Sequence, residues 1–345
     1  MDVFLFEYVT SGGEVPEEIV TEGLGMFKSL YMGFTGVSGV DRVNSFVKPA
    51  YRDSLFLRIP HYDITGIAFT DLSDIKQKVE EYAEKSGCSL IIAPEDDHLL
   101  LNLTKIAEKR SENLGSSSKG IAIASDKWEV YKKLRRKVNV PLTSEKPLEP
   151  PFVMKPKTSC GGERIEVVKK EAFKKEIFKI KPGFIAQELI EGINLSVSML
   201  VGDDLNLLSV NGQIIENFRY KGAEVPAQID KEDFKLVFDE AVKAVECIKG
   251  LHGYVGVDVV LSDVPYIIEV NARLTTPSII FDRVYQTNLA ELLFKNHYGG
   301  LDSVELNPQA SFRLEKAEKD KFKYKIRDVE VIVKYGKYAL IFYKV

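Results

Sequence analysis

Cysteine is scarce in this sequence and follows none of the spacings that cysteine-rich sites require. The 345 residues contain only three cysteines, Cys88, Cys160 and Cys247, which lie far apart and form no C-x-x-C pair. An odd number of isolated thiols argues against a disulfide framework, and the missing pairs argue against a structural zinc site. We therefore expect a protein of a reducing compartment, the cytoplasm.

The chain also lacks a strong excess of charge and any long apolar segment. Its 47 Lys and Arg residues against 51 Asp and Glu residues give a formal net charge of −4, which offers no basis for a nucleic-acid or anionic-membrane partner. No apolar run approaches the roughly 18 residues that a membrane helix needs. The first residues have neither the basic start nor the long apolar stretch of a signal peptide. These absences predict a soluble protein with no nucleic-acid and no membrane partner.

The first third of the chain has the pattern of an α/β layer. An apolar strand, Val3–Phe6, leads through the turn Thr10–Gly13 into a helical pattern over Pro16–Leu30. The turn is not a G-x-G-x-x-G fingerprint, which argues against a dinucleotide-dependent dehydrogenase.

Acidic residues follow a second buried strand, Ser89–Ala93. In open α/β sheets the carboxyl ends of the strands face the ligand crevice, so these residues are candidates for substrate contacts. A solvated loop or a helix cap accounts better for Asp96 and Asp97, whereas Glu95 stays open between the two interpretations.

From about residue 125 onward the pattern changes to short strands with few helices. Four prolines make Val140–Pro151 an extended connector. The predicted strands are Phe152–Lys155, Ile165–Val168, Phe184–Glu188, Ser196–Val201, Leu205–Val210, Val255–Leu261, Tyr266–Val270 and a pair within Val329–Val345. An α/β unit up to about residue 124, followed by an α+β unit, is the simplest partition.

Two apolar strands around a turn carry a pair of carboxylates. If the hairpin is symmetric about its turn, Leu261 pairs with Tyr266 and Asp258 faces Glu269. Because side chains alternate along a strand, Asn271 shares the face of Glu269. Like charges directly opposite each other destabilise a sheet, so a positive charge should compensate them.

Two kinds of cation fit the predicted carboxylate pair. Two carboxylates and an amide oxygen form the hard, all-oxygen ligand set that suits Mg²⁺ or Mn²⁺. The alternative is a surface hairpin with an acidic stripe neutralised by Arg273. On the opposite face the alternation places Val257, Val259, Ile268 and Val270.

Two lysines are placed to meet an anion. Lys155 ends an apolar strand just before the loop Lys157–Gly162, whose glycines let backbone N–H groups approach a phosphate closely. Lys127 lies in the first turn of a helix capped by Asp126, where the helix dipole disfavours a cation by roughly 0.3–1 kcal/mol. An ordinary hairpin and a solvated helix-end lysine remain the alternative interpretations.

In chain order, these elements resemble the ATP-grasp superfamily over about residues 1–300. The resemblance implies an ATP-grasp fold, α/β plus α+β, with an N-terminal Rossmann-like pre-ATP-grasp domain. It also implies a ligase that uses ATP to join a carboxylate to an amine through an acylphosphate, releasing ADP and phosphate. The implied parts are a pre-ATP-grasp domain over 1–124, a lid subdomain over 125–190, a catalytic subdomain over 191–300 and a strand-rich extension over 301–345.

The resemblance assigns roles to individual residues. The implied ATP contacts are Lys127, Lys155, Ser159, Gly161, Gly162, Gln187, Glu188, Leu189, Glu191 and Asn194. Asn194 stands where the family usually has a ribose-binding glutamate, and Glu191 is the substitute we consider. The implied ligands of two Mg²⁺ or Mn²⁺ ions are Asp258, Glu269 and Asn271. The implied catalytic residues are Arg273, for the reacting carboxylate, and Lys221, whose alternative is a solvated basic turn.

Four short stretches carry a closer resemblance. They are Phe6–Gly13, Ile92–Glu95, Phe218–Gly222 and Glu269–Pro277. They resemble an archaeal branch of the superfamily whose ligases act on L-glutamate and tyramine in methanofuran biosynthesis. This implies a small-molecule carboxylate and a small-molecule amine as partners, γ-glutamyltyramine as product, and leaves a homodimer open. A ligase for other amino acids or peptides and a non-catalytic ATP-binding regulator are the alternatives.

Overall fold

The described part of the chain contains three β-sheets, each formed by one consecutive stretch of sequence. The computed structural model describes residues 1–56, 64–71, 74–162, 164–173, 178–301, 306–308, 310–318 and 329–345. Helices pack against the sheets, and no helix in these ranges is long and apolar enough to span a membrane.

The N-terminal sheet is entirely parallel. Its strands are β1 (Asp2–Glu7), β2 (Arg42–Val47), β3 (Ile67–Phe69), β4 (Cys88–Ile92) and β5 (Glu112–Asn113). The helices of this stretch are α1 (Glu17–Thr35), α2 (Arg52–Phe56), α3 (Ile75–Glu84), α4 (Leu99–Ala107) and α5 (Ser118–Ala124). The spatial order is β3-β2-β1-β4-β5, and β4 is buried along its whole length, as expected for a parallel strand covered on both faces. The predicted α/β layer is confirmed.

A small antiparallel sheet follows and has its own core. Helix α6 (Lys127–Leu134) precedes the strands β6 (Thr143–Ser144), β7 (Phe152–Pro156), β8 (Glu166–Val168) and β9 (Phe184–Glu188), which pair in the order β6-β9-β7-β8. Phe152, Met154, Val168 and Ala186 form a cluster separate from the two larger cores. Phe173 and Phe178 pack edge-on against Phe152. We call this unit the lid sheet.

The third sheet is the largest. Its strands are β10 (Ile193–Val201), β11 (Leu205–Glu216), β12 (Arg219–Val225), β13 (Gly253–Leu261), β14 (Pro265–Asn271), β15 (Phe312–Glu318), β16 (Glu330–Tyr335) and β17 (Tyr338–Lys344). The helices of this stretch are α7 (Lys231–Glu246), α8 (Phe281–Tyr285) and α9 (Leu289–Tyr298). The strand order is β14-β13-β10-β11-β12-β15-β17-β16.

The C-terminal strands continue this large sheet. Strand β15 pairs with β12, with Ala223 opposite Leu314, and the predicted pair within Val329–Val345 is the hairpin β16–β17. The domain boundary expected at residue 300 stays a prediction, but the strands beyond it belong to the same sheet as the hairpin that carries Asp258.

Helix α1 packs between the N-terminal sheet and the C-terminal strands. Its apolar side chains Leu24, Phe27 and Tyr31 belong to the same core as Leu340. Gly25 allows the close approach, since a Cβ atom there would lie 2.8 Å from Leu340 Cδ2. This packing fixes the position of the first turns of α1 beside the large sheet.

The hairpin β13–β14 contains a bulge that the symmetric register did not predict. Asp258 faces Glu269 as expected, but Leu261 pairs with Pro265 and not with Tyr266, because the register shifts between Asp258 and Val259. One extra residue on β14 absorbs the shift. The placement of Ile268 on the opposite face is therefore wrong: it lines the same cleft as Glu269, whereas Ile267 and Val270 are buried in the core.

The separate core of the lid sheet predicts a local response to a cavity. The substitution Phe152→Ala removes a fully buried ring, at a cost of about 3–5 kcal/mol. Native-state hydrogen exchange should become faster in β7, β8 and β9 while β1 and β4 keep their protection, because the cores are separate. The matched variant Phe46→Ala, in the core that also contains Phe4, should instead expose β1 and β2. Equal acceleration of exchange in every sheet for Phe152→Ala would show that the lid sheet does not open alone.

Candidate active site

A cleft of about 740 Å³ is lined by residues from all three sheets. Helix α1 contributes Glu22, helix α6 contributes Lys127, the lid sheet contributes Lys155, and the large sheet contributes Asp258 and Glu269. Residues that are far apart in the sequence and of both charge signs therefore face one cavity.

Two facing carboxylates lie at the centre of the cleft. Asp258 Oδ1 accepts a hydrogen bond from Gln213 Nε2 at 2.9 Å, and Oδ2 accepts one from Asn271 Nδ2 at 3.2 Å. Burial, together with the negative charge of Glu269, raises the pKa of Asp258 to about 7. Two amide donors thus hold Asp258 in place, but the two carboxylates need positive charge to be ionised together.

Lys127 supplies part of that charge. Its Nζ lies 3.0 Å from Glu269 Oε1 and donates to the carbonyl oxygen of Ser159 at 2.8 Å. The Asp126 side chain caps α6 by accepting from two backbone N–H groups, which fixes Lys127 in the first helical turn. Lys127 is buried, so the interpretation as a solvated helix-end lysine is wrong.

Lys155 lies at the end of β7, buried beside the same charges. Burial and the nearby positive charge of Lys127 lower the pKa of Lys155 to about 8, although Glu269 and Asp258 act in the opposite direction. The neutral amine form of such a buried lysine takes up a proton when an anion binds beside it.

Arg273 does not neutralise the hairpin carboxylates by direct pairing, as the alternative for the hairpin supposed. Its Nε donates to Glu95 Oε1 at 2.7 Å and its Nη2 to Glu95 Oε2 at 2.8 Å, while Nη1 donates to the carbonyl oxygen of Leu274. Burial disfavours the charged guanidinium, but the paired Glu95 outweighs it and raises the pKa of Arg273. Nη1 and Nη2 each use only one of their two N–H groups in these hydrogen bonds, so the other N–H of each remains available for a ligand.

Glu95 is the site residue that sequence reasoning left undecided. It is 5% exposed and follows β4, at the carboxyl end of the parallel sheet. The position at a strand end was the available signal, but its partner lies 178 positions away in the chain. Asp96 and Asp97, expected in a solvated loop or cap, line the rim of the cleft, where Asp97 is exposed and Asp96 lies 3.6 Å from Arg164.

The loop over Ser159–Gly162 covers one side of the cleft. Gly161 and Gly162 both have positive φ, 64° and 74°, and a side chain at Gly162 would collide with the carbonyl oxygen of Phe218. Ser159 is buried next to Lys127. Burial raises the pKa of the Cys160 thiol, so this cysteine is not a ready nucleophile.

The expected nucleotide contacts around β9 divide into two groups. Asn194 lines the cleft, whereas Gln187, Glu188, Leu189 and Glu191 are not among the described residues that do so. Gln187 is buried and donates to Thr143 Oγ1, and the exposed Glu188 accepts from the backbone N–H of Leu142. Their assignment to ATP stays a prediction.

The expected catalytic Lys221 does line the cleft. Its Nζ lies 4.0 Å from Glu18 Oε2, and the neighbouring Arg219 lies 3.2 Å from the same carboxylate. Both cations are partly exposed, so they form a basic rim of the cleft.

Comparison with known proteins identifies the architecture. Residues 124–277 match the model of the ATP-grasp domain, and residues 51–121 match that of the pre ATP-grasp 3 domain. The tyramine--L-glutamate ligase of Methanocaldococcus fervens is 38% identical over 298 residues, which cover 85% of this chain and 93% of the relative. The chain belongs to the ATP-grasp superfamily. The enzyme of the same name from Methanocaldococcus jannaschii is 37% identical over 300 residues, covering 85% of this chain and 88% of the relative.

Solved structures agree with this assignment. The crystal structure of an ATP-grasp superfamily protein from Archaeoglobus fulgidus has a TM-score of 0.82 at 43% identity, covering 100% of this chain and 99% of that one. An L-amino acid ligase from Bacillus licheniformis has a TM-score of 0.68 at 14% identity, covering 99% and 92%, and supports the fold alone. The predicted ATP-grasp fold is confirmed, as is the prediction of a carbon–nitrogen ligase.

ATP-grasp ligases use ATP and divalent metal ions, and the hairpin offers ligands of the required chemistry. Among the described residues no three His, Cys, Asp or Glu side chains form a metal cage. Mg²⁺ does not need such a cage, because it is commonly held by one or two carboxylates together with substrate phosphates. Two facing carboxylates and the Asn271 side-chain oxygen fit such an ion.

The low pKa of Lys155 predicts proton uptake when ATP binds. At pH 9 Lys155 is mostly neutral in the free enzyme, and the negative triphosphate should raise its pKa and draw in up to one proton. At pH 6.5 the lysine is already charged, so its own contribution to the uptake should be near zero. Calorimetric titrations of ATP in buffers of different ionisation enthalpy measure the protons bound. Lys155→Met should abolish the uptake at pH 9 and the exposed Lys146→Met should keep it; equal uptake at both pH values would contradict the expectation.

Proposed function

We propose that this ATP-grasp ligase joins the γ-carboxylate of L-glutamate to the amine of tyramine, forming γ-glutamyltyramine, ADP and phosphate. Two relatives at 37–38% identity over 85% of the chain, both tyramine--L-glutamate ligases, support the choice of substrates. The cleft supports the chemistry, because it combines cations for phosphate groups with an oxygen ligand set for a metal ion.

The triphosphate lies between the lid sheet and the large sheet in this proposal. Lys127 and Lys155 neutralise its charge, and backbone N–H groups of the adjacent loop Ser159–Gly162 cover it. The proposed adenine and ribose contacts are Gln187, Glu188, Leu189, Glu191 and Asn194.

Asp258, Glu269 and Asn271 would hold the metal, which we propose to be two Mg²⁺ or Mn²⁺ ions. When bound, these ions supply positive charge to the phosphate oxygens. Their charge would also offset the repulsion between the two carboxylates, so that both can be ionised, since the raised pKa of Asp258 arises partly from Glu269.

In the first chemical step a γ-carboxylate oxygen of glutamate attacks the γ-phosphorus of ATP. The bond between that phosphorus and the β,γ-bridging oxygen breaks, and ADP leaves with the electron pair. Arg273, fixed by its two hydrogen bonds to Glu95, directs its remaining N–H groups to the reacting carboxylate. Such fixed positive charge contributes through positioning and charge stabilisation, as in phosphoryl transfer generally.

In the second step the amine attacks the acyl carbon of the resulting acylphosphate. Phosphate leaves with the electrons of the carbon–oxygen bond, and the proton lost by the amine nitrogen goes to the released phosphate. Lys221 lies at the rim as a second contact for phosphate or carboxylate oxygens. The loop Ser159–Gly162 shields the intermediate from water, which would otherwise hydrolyse it.

One observation carries this proposal more than any other. Lys127 Nζ lies within 3.0 Å of both Glu269 Oε1 and the carbonyl oxygen of Ser159. Helix α6, the hairpin β13–β14 and the loop of the lid sheet come together at this point. A surface hairpin with an incidental acidic stripe would not bury a lysine there.

A matrix of carboxylates against amines tests the proposal. ADP and phosphate release should require ATP, a divalent metal, L-glutamate and tyramine together, with no product when either organic substrate is omitted. Release of AMP and pyrophosphate would contradict the mechanism. Turnover with a different pair would overturn the substrates and leave the ligase class intact.

Glu269 provides the sharpest single substitution. Glu269→Gln removes the charge that faces both Lys127 and the metal, so kcat should fall at least about 100-fold with the fold retained. The control is Glu246→Gln, which removes an exposed carboxylate at the end of α7 and should leave turnover unchanged. Circular dichroism and thermal unfolding verify the fold, and an active Glu269→Gln enzyme would refute the metal assignment.

A further inference from the structure

A second charged pair lies at the wall of the cleft that α1 and the C-terminal strands form. Lys316 Nζ on β15 lies 2.7 Å from Glu22 Oε1 on α1, and the two side chains are 10% and 11% exposed. Both residues line the cleft. Neither lies within the segments that match the ATP-grasp and pre-ATP-grasp models.

Two hydroxyl groups complete the surroundings of this pair. The Thr276 hydroxyl donates to Glu22 Oε2. The ring of Tyr220 lies under Lys316, with Nζ 5.8 Å from its centroid. The Tyr220 hydroxyl is buried and makes no hydrogen bond of acceptable geometry to the described residues. A buried hydroxyl without a partner costs free energy, so its presence beside a cavity points to a ligand atom.

We propose that Glu22, Lys316 and Tyr220 bind the α-ammonium and α-carboxylate groups of the amino-acid substrate, an assignment that rests on the proposed function. Glu22 accepts from the ammonium group, and Lys316 and the Tyr220 hydroxyl donate to the carboxylate. These three residues therefore select a free α-amino acid over an acid that lacks either group.

The position of the pair relative to Arg273 agrees with a dicarboxylic amino acid. Thr276, which touches Glu22, follows Arg273 by three residues, so their Cα atoms are at most about 11 Å apart. One end of glutamate can thus meet Glu22 and Lys316 while the γ-carboxylate meets Arg273.

Burial raises the pKa of Tyr220 well above its usual value, so its hydroxyl keeps the proton that it donates.

The other charged cluster on α1 is a weaker candidate for this role. Glu18 pairs with Arg219 and Lys221, but these side chains are 28%, 56% and 36% exposed. Water screens such contacts and makes them poorly selective. The Glu22–Lys316 pair is shielded, so the loss of one ligand charge there leaves an unmatched charge and has a larger effect.

Substrate analogues test the assignment. 4-Aminobutyrate is glutamate without the α-carboxylate, and glutarate is glutamate without the amino group. The wild-type enzyme should prefer L-glutamate to both, measured as kcat/KM with saturating ATP and tyramine. Lys316→Met should reduce kcat/KM for L-glutamate by about 10- to 100-fold, mainly through KM, with little effect on 4-aminobutyrate. Glu22→Gln should likewise reduce the preference over glutarate, and Lys316→Arg should restore most of the preference over 4-aminobutyrate.

Tyr220→Phe separates ligand binding from folding. Because the described residues offer this hydroxyl no hydrogen bond of acceptable geometry, its removal should leave the thermal midpoint unchanged or higher. The preference for L-glutamate over 4-aminobutyrate should nevertheless fall several-fold. The control is Lys334→Met, an exposed lysine on β16, which should change neither quantity.

The outcomes distinguish the two proposals. If the wild-type enzyme does not turn over L-glutamate with tyramine, the proposed function fails and this assignment with it. If it does, but the substrate preferences of the Glu22, Tyr220 and Lys316 variants equal those of the wild type, the assignment alone is overturned. General damage to the enzyme lowers the rates with all three acids alike and leaves the preferences unchanged, which also counts against the assignment.

Discussion

The cleft depends on two carboxylates that face each other across one antiparallel hairpin. Asp258 and Glu269 occupy paired positions, and burial together with their mutual repulsion raises the pKa of Asp258 to about 7. Such a pair destabilises the free protein unless positive charge lies close by. Lys127 on α6 and Lys155 on the lid sheet provide that charge, so the electrostatics of the hairpin require these elements to be close to the large sheet.

The groups that line or support the cleft come from different segments of the chain. Helix α6 supplies Lys127, and the lid sheet supplies Lys155 and the loop with its glycines. The hairpin supplies carboxylate oxygens, and the segment after β4 supplies Glu95, which holds Arg273 through two hydrogen bonds. The C-terminal strands extend the large sheet as far as α1 and bring Lys316 to the cleft. An active site assembled in this way can keep its phosphate chemistry while α1 and β15 change the substrate.

Local sequence patterns were enough for the parts of the site that lie within one element. The pairing of Asp258 with Glu269 follows from the turn and the alternation of side chains. The bulge that turns Ile268 into the cleft could not be predicted from the sequence pattern. The partner of Arg273 and that of Lys316 depend on contacts between distant segments. Glu95 reaches its partner across 178 residues, and strand alternation carries no information at that range.

Positional isotope exchange tests the central claim most directly, namely that the cleft transfers the γ-phosphoryl group to a substrate carboxylate before the amine reacts. The enzyme is incubated with a divalent metal, L-glutamate and ATP labelled with ¹⁸O in the β,γ-bridge, without tyramine. Reversible acylphosphate formation predicts that the label moves into the non-bridging β-phosphate positions, and only when glutamate is present. Absence of this scrambling in an enzyme that forms the amide when tyramine is added would contradict the account, as would scrambling of a second ATP sample that is labelled in the α,β-bridge.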